Sequence, residues 1–310
     1  MKILVTGGSG YVGSVLVPAL LRQGYRVKVF DNLLFKQTSL LPHFINPLFE
    51  FVHGDVRDVH ALARAVEDVD LIIHLAAIVG APICSAHPEL AEAVNYQGTV
   101  NLDSVRSSHQ PIIYASTGSN YGKVDGICTE DTPLHPLSVY GQTKTKAEEH
   151  LKRSGNMIGF RFATAFGISP RLRLDLMPND FALQALRVGN LIVYQKQVRR
   201  TFIHVTDMTR AFLHAIQHYE EMKNEIYNVG HERMNLTKEE VALLVKKFVN
   251  YYLHFAEIGS DPDQRDYEVS YEKIRSKGFE TQVSMEEGIR EVVSALKLLQ
   301  PENPYSNISI

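Results

Sequence analysis

Cysteine is scarce in this chain. Among 310 residues only Cys84 and Cys128 occur, without metal-ligand spacing and too few for a disulfide framework. A reducing, cytoplasmic setting is the simplest expectation. No sign of charge is in excess: 32 basic residues stand against 35 acidic ones, for a net charge of −3. That balance argues against a nucleic-acid or anionic-membrane partner recognised by bulk charge, and the arginines of 171–173 are too few for such a patch. Long apolar runs are missing too, none approaching the roughly 18 residues of a membrane span. Strand-like residues begin at Lys2, so no signal peptide is expected. His214 and His218 have helical i,i+4 spacing but no glutamate partner between them, and no metal site is expected.

What is present is the pattern of an α/β protein. Short apolar runs alternate with helix-length amphipathic stretches through the first half, the signature of βαβ units around a parallel sheet. The pattern predicts strands at 2–6, 26–31, 49–53, 70–75, 111–115 and 157–162. Helices are predicted over 11–23, 88–107 and 138–153, and Pro18 breaks a local rule inside the first. Beyond Thr164 the pattern loosens into loops, a helix near 180–188 and a strand at 191–194. Segments 201–205, 207–219 and 225–229 read as a return to the first unit. Two further amphipathic helices, 237–249 and 284–299, flank the polar segment 259–266. The expected architecture is a Rossmann-type doubly wound parallel sheet with a smaller interwoven C-terminal lobe. Residues 1–163, joined by about 205–229, would bind a dinucleotide; 164–204 and 230–310 would bind substrate.

Gly7, Gly10 and Gly13 fall between the first strand and the first helix. Glycines there permit a tight turn, let the backbone approach a diphosphate, and seat the helix against the sheet. Asp31 ends the second strand, where a carboxylate can accept from an adenosine ribose diol and repel a 2′-phosphate; the alternative is a solvated strand-end acid. No arginine follows it closely, which favours NAD over NADP. Asp55, after the third strand, suits either an adenine amino group or a plain turn.

Tyr140 and Lys144 lie four residues apart, on one face of a predicted helix. A free phenol titrates near 10, so a tyrosine acting as base needs help, and a neighbouring ammonium favours the phenolate. Ser116-Thr117 directly follows the fifth strand, at the carboxyl edge where open parallel sheets bind ligands.

Thr6-Gly7-Gly8-Ser9-Gly10-Tyr11-Val12-Gly13, His74-Leu75-Ala76-Ala77, Asn95, Ser116-Thr117 with Tyr121-Gly122, and Tyr140 with Lys144 together carry a family likeness. Arg161 through Gly167 and Arg200 through Val205 add to it. Over essentially its whole length the chain resembles the extended short-chain dehydrogenase/reductase family. The likeness is to its NAD-dependent nucleotide-sugar epimerase/dehydratase branch, of UDP-galactose 4-epimerase type. The resemblance implies Tyr140 as catalytic base, Lys144 as its partner and Thr117 as the hydroxyl sharing the substrate oxygen. It implies NAD contacts from Gly7, Gly10, Tyr11, Val12, Asp31, Asn32, Asp55, Val56, Leu75, Ala76, Ala77, Asn95, Tyr140, Lys144 and Phe162, with Lys144 on the nicotinamide ribose and Asn95 also steadying the catalytic helix. Substrate contacts are implied for Thr117, Ser119, Thr164, Asn179, Arg200 and Arg265, the two arginines clamping a diphosphate. Arg171, Arg173 and Arg199 are further candidates that spacing does not rank. In relatives the helices around 88–107 and 138–153 form a homodimer's four-helix seam, so a homodimer is implied.

The chain also departs from the family pattern. Thr164 stands where relatives usually carry Asn, and Gly118-Ser119 replaces the Asp-Glu pair that dehydratases use to eliminate water. The activity implied first is 4-epimerisation of a UDP- or GDP-linked sugar through a transient 4-keto sugar. A C4 dehydrogenase or reductase is the alternative, since 31–41 and 167–175 look like GDP-heptose 4-dehydrogenases. A non-catalytic NAD-binding relative is the third reading, against which the intact Thr117, Tyr140 and Lys144 weigh.

Overall fold

Seven parallel strands form the centre of the molecule, known here from a computed structural model that describes residues 1–259 and 265–299, with 301, 303, 305 and 307. The first half runs β1 (Lys2–Thr6), α1 (Gly13–Arg22), β2 (Arg26–Asp31), β3 (Phe49–His53), α2 (Val59–Val66) and β4 (Leu71–His74). Next come the short α3 (Ala81–Ala86) and α4 (Pro88–Ala91), a π-helical turn (Glu92–Gln97) and α5 (Gly98–Val105). Then follow β5 (Ile112–Thr117), β6 (Lys123–Cys128), α6 (Val139–Ser154), β7 (Met157–Phe162) and β8 (Thr164–Phe166). The rest comprises α7 (Met177–Arg187), β9 (Asn190–Tyr194), β10 (Arg199–His204), α8 (Val205–Gln217), α9 (Tyr219–Met222), β11 (Glu225–Val229) and β12 (Asn235–Thr237). It closes with α10 (Lys238–Lys246), β13 (Tyr252–Ala256), β14 (Asp266–Val269), α11 (Glu272–Arg275) and α12 (Met285–Leu298).

The strand order is β11-β7-β5-β4-β1-β2-β3, every neighbouring pair parallel. From β1 the chain builds outward through β2 and β3, then returns to β1's other side as β4. That reversal opens a crevice beyond the carboxyl ends of β1 and β4, where such sheets bind ligands. Alternation within β1 explains its continuous apolar run. Ile3 and Val5 join one core layer with Leu16, Val29 and Phe212, while Leu4 faces the other with Phe30, Ile72 and Leu151. A third core, around Phe166, Phe202, Val241 and Ile289, serves the C-terminal elements.

The helical stretch expected over 88–107 is interrupted by the π turn at 92–97. Asn95 lies in that turn, its side chain bonded to the Ile78 backbone and its carbonyl held by Thr99 Oγ1 at 2.7 Å. π turns of this kind occur where a side chain must be re-aimed. Strands β6, β8, β12, β13 and β14 escape the sequence pattern. β8 and β12 are three residues each, and β14 finds its partner β6 more than 130 residues away in the chain, beyond the reach of local periodicity.

Helix α6 carries Tyr140 and Lys144, and its placement depends on one buried ion pair. Ser138 caps its start by accepting from the Gly141 amide at 3.1 Å, and Gly155, at φ 79°, ends it. One turn beyond Lys144, Glu148 accepts from Arg161 of β7, with Nη2 at 2.6 Å, and from Ser116 Oγ of β5 at 2.5 Å. Glu148 is 2% exposed and Arg161 6%. Removing one partner of such a pair leaves an uncompensated buried charge. Glu148→Ala is therefore expected to lower unfolding stability by about 3–5 kcal/mol in urea titrations.

Candidate functional site

The crevice is a cleft of about 310 Å³ whose walls begin at the glycine turn. Gly7 sits at φ +69°, and a Cβ there would lie 2.7 Å from the Ala76 backbone. Only glycine lets the β1 exit and the β4 exit approach so closely. At Gly13 a Cβ would come within 2.4 Å of Gly8 O, so the start of α1 is pressed onto the turn in the same way. Gly10, Tyr11 and Val12 line the cleft where α1 begins, the end of a helix whose N–H groups lack intrahelical partners. This cradle fits a diphosphate.

Asp31 is buried at the cleft wall, 6% exposed, accepting from the amides of Ser9 (2.9 Å) and Leu33 (2.8 Å). Burial pushes its carboxyl up from the usual range and those two amides oppose the shift. A solvated strand-end acid it is not. Asn32 and Val56 line the cleft beside it, as do Leu75, Ala76, Ala77 and Phe162. Asp55 does not. Its carboxylate is taken by Arg57 Nε (2.8 Å) and Nη2 (2.7 Å) and by Asn32 Nδ2 (2.9 Å), and Arg57 holds it down at about 2. The turn reading of Asp55 is the one its contacts support. Asn95 is also off the wall, buried between Ile78 and Thr143 Oγ1 (3.1 Å). Its reach is to α6 itself rather than to the cleft.

At the other end Thr117, Tyr140 and Lys144 line the same cleft. Thr117 Oγ1 accepts from the Ser119 amide and donates to Ser119 Oγ, each at 3.1 Å, and Arg265 Nη1 bonds that same Ser119 hydroxyl. Lys144 is 2% exposed, its ammonium 4.0 Å from the centroid of the Tyr114 ring. Here the electrostatics differ from expectation. Burial, then the Cys84 thiol, pushes the Tyr140 phenol up to about 12, while Arg173, a Thr117 hydrogen bond and Arg265 pull it back. Burial pulls Lys144 down to about 7, against Glu148 and Cys84. The helix spacing is right, yet loss of water outweighs mutual help: each charged form is penalised before the two can support one another.

Of the other substrate candidates, Ser119, Thr164 and Arg265 are on the cleft wall. Arg200 is not; it is 3% exposed in β10, with Nη1 on Arg199 O at 2.9 Å. Asn179 is fully buried, and its amide is spent on Gly167 N (3.0 Å), Gly167 O (3.2 Å) and Arg173 O (2.9 Å). It staples the 167–173 loop from a buried position that does not line the cleft. That loop instead brings Arg171 and Arg173 to the cleft, whereas Arg199 pairs outside it with Glu268 at 2.7 Å. Ser138, Phe35 and Tyr267 also line the cleft and carried no sequence signal.

A glycine cradle at a sheet's switch point, facing a tyrosine, a lysine and a threonine in one cleft, defines a dinucleotide-dependent enzyme class. The pattern of the NAD dependent epimerase/dehydratase family matches residues 3–230, and the chain belongs to that family. It is 28% identical to a putative UDP-glucose 4-epimerase of Methanocaldococcus jannaschii, covering 95% of this chain and 98% of that protein. It is equally 28% identical to CDP-paratose 2-epimerase of Salmonella typhi, covering 94% and 98%. The crystal structure of the Thermus thermophilus UDP-glucose 4-epimerase in complex with NAD superposes with a TM-score of 0.83 at 25% identity, over 96% of this chain and 99% of that one.

The Lys144 environment predicts a pH effect with a definite sign. Its ammonium is held down in the fold and titrates at the ordinary 10.5 when unfolded. Between about 7 and 10.5 the unfolded chain therefore binds more protons, and stability rises with pH through that window. In Lys144→Met this rise should vanish, which urea titrations across the range will measure.

Proposed function

We propose that this chain is an NAD-dependent nucleotide-diphosphate-sugar 4-epimerase. The observation that carries the reading is the convergence of Thr117, Tyr140 and Lys144 on the cleft that begins at the glycine turn. The buried Asp31 carboxylate favours NAD over a 2′-phosphorylated cofactor. When bound, NAD supplies a positively charged ring that takes a hydride from carbon and later gives it back. Tyr140 takes the proton of the sugar hydroxyl while Thr117 holds the same oxygen, leaving a keto sugar. Burial pulls the Lys144 ammonium down to about 7, towards the range in which a group can both give and take a proton. After the sugar turns over, Tyr140 returns the proton. Gly118-Ser119 supply neither the acid nor the base that elimination of water needs, which supports epimerisation over dehydration.

Arg265, on the cleft wall, suits a substrate diphosphate through its planar fork; Arg200, off the wall, supports such a contact less. Residues 1–163 with 205–229 would serve the cofactor, and 164–204 with 230–310 the sugar. A homodimer through the helices of 88–107 and 138–153 rests on the family likeness. A cytoplasmic setting rests on the two free cysteines, both buried. Among the described residues no helix is long and apolar enough to cross a membrane.

Incubation with UDP-, GDP-, CDP- and dTDP-sugars tests the reading. A new C4 stereoisomer by NMR without net NADH supports it. Net NADH build-up points instead to dehydrogenation, the reading suggested by the heptose-dehydrogenase-like segments. Tyr140→Phe should cut turnover by roughly 10²–10⁴-fold with NAD affinity nearly unchanged. Undiminished turnover in that variant would sink the mechanism.

A further inference from the structure

The loop between β8 and α7 is fastened to the glycine turn over a sequence distance of more than 150 residues. Tyr11 donates its hydroxyl to Gly167 O at 2.8 Å, and Ser169 Oγ donates to Tyr11 O at 2.6 Å. The Ser14 and Ser169 hydroxyls share a bond of 2.8 Å, and the Arg171 amide reaches both at 3.3 Å. Tyr11 and Ser14 belong to the turn and the first turn of α1. The loop backbone is therefore set by the element that forms the diphosphate cradle.

This fastening delivers the Arg171 side chain to the cleft that Gly10, Tyr11 and Val12 also line. Its guanidinium carbon lies 5.2 Å from the centre of the Phe35 ring, and Phe35 lines the cleft too. Stacking of that kind orients the planar fork and leaves its N–H edge available. Nη1 donates to Leu172 O (2.7 Å) and Nη2 to Asn307 Oδ1 (3.4 Å), the second at the limit of a useful bond. Among the described residues Arg171 makes no ion pair. The other arginines of the wall are engaged: Arg57 by Asp55, Arg173 by Asp175, and Arg265 by Ser119. Burial makes the Arg171 charge costly, and Arg173 adds to that cost. A helix N-terminus supplies about half a positive charge, and a guanidinium beside it would add a full one.

We propose that Arg171 is a binding residue for the diphosphate of the dinucleotide cofactor, so that a loop outside the glycine-turn unit completes the cofactor site. The proposal rests on the NAD reading given above. It also explains why a half-buried cation, without an ion pair among the described residues, is held in place by side chains of the turn itself.

Calorimetric titrations of wild type, Arg171→Ala and Arg171→Lys with NAD, ADP-ribose, adenosine, UDP and GDP test it. Wild type should bind NAD and ADP-ribose, and Arg171→Ala should bind both about 10–100-fold more weakly, with a shallower salt dependence. Adenosine, which has no phosphate, should bind wild type and variant alike, and that equality also reports an intact fold. Arg171→Lys should recover part of the loss. Unaltered NAD affinity in Arg171→Ala overturns the proposal while leaving the NAD reading in place. So does a loss confined to UDP or GDP, which would assign the arginine to the substrate. Failure of wild type to bind NAD overturns both.

Discussion

Burial at the cleft wall sets the chemistry of Tyr140 and Lys144: the lysine is 2% exposed and the tyrosine is partly covered. A phenol that must become an anion and an amine that must become a cation share one helix face, and burial penalises both. The protein answers with charges that are not on the same turn. Arg173 and Arg265 oppose the penalty on Tyr140, and Glu148 opposes it on Lys144. A proton passed within the group, rather than one lost to solvent, costs least in such a setting. This suits a reaction that removes a proton from a hydroxyl and then restores it.

Such a balance survives only if the groups stay where they are. The buried Glu148–Arg161 pair ties α6 to β5 and β7, and Asn95 ties it, through Thr143, to the segment leaving β4. Both ties run from the catalytic helix to strands that end at the cleft. A shift of α6 would therefore break hydrogen bonds between buried groups, which is costly.

The two ends of the cleft are joined by the loop 167–173. Its backbone is bound to Tyr11 and Ser14 at the cofactor end, and Asn179 locks its far side. Arg171 and Arg173 leave the same short stretch, one towards Phe35 and the other towards Val79 and Asp175. One segment thus carries two positive charges to the cleft.

Much of this was legible along the chain. The glycine turn, the Tyr140/Lys144 spacing and the sheet's apolar strands depend on neighbours a few residues apart, and periodicity reports such neighbours directly. The roles that read less well depend on who fills the space around a side chain. Asn179 was expected to touch substrate and is buried on Gly167 and Arg173; Asp55 was open between two readings until Arg57 took its carboxylate. The chain alone establishes that a dinucleotide cradle and a tyrosine–lysine pair exist. Folding establishes that burial penalises the charged form of both groups, and that Arg171 reaches the cleft from 157 residues beyond Ser14. Desolvation and long-range contact are properties of packed volume, and no spacing along a linear polymer encodes them locally.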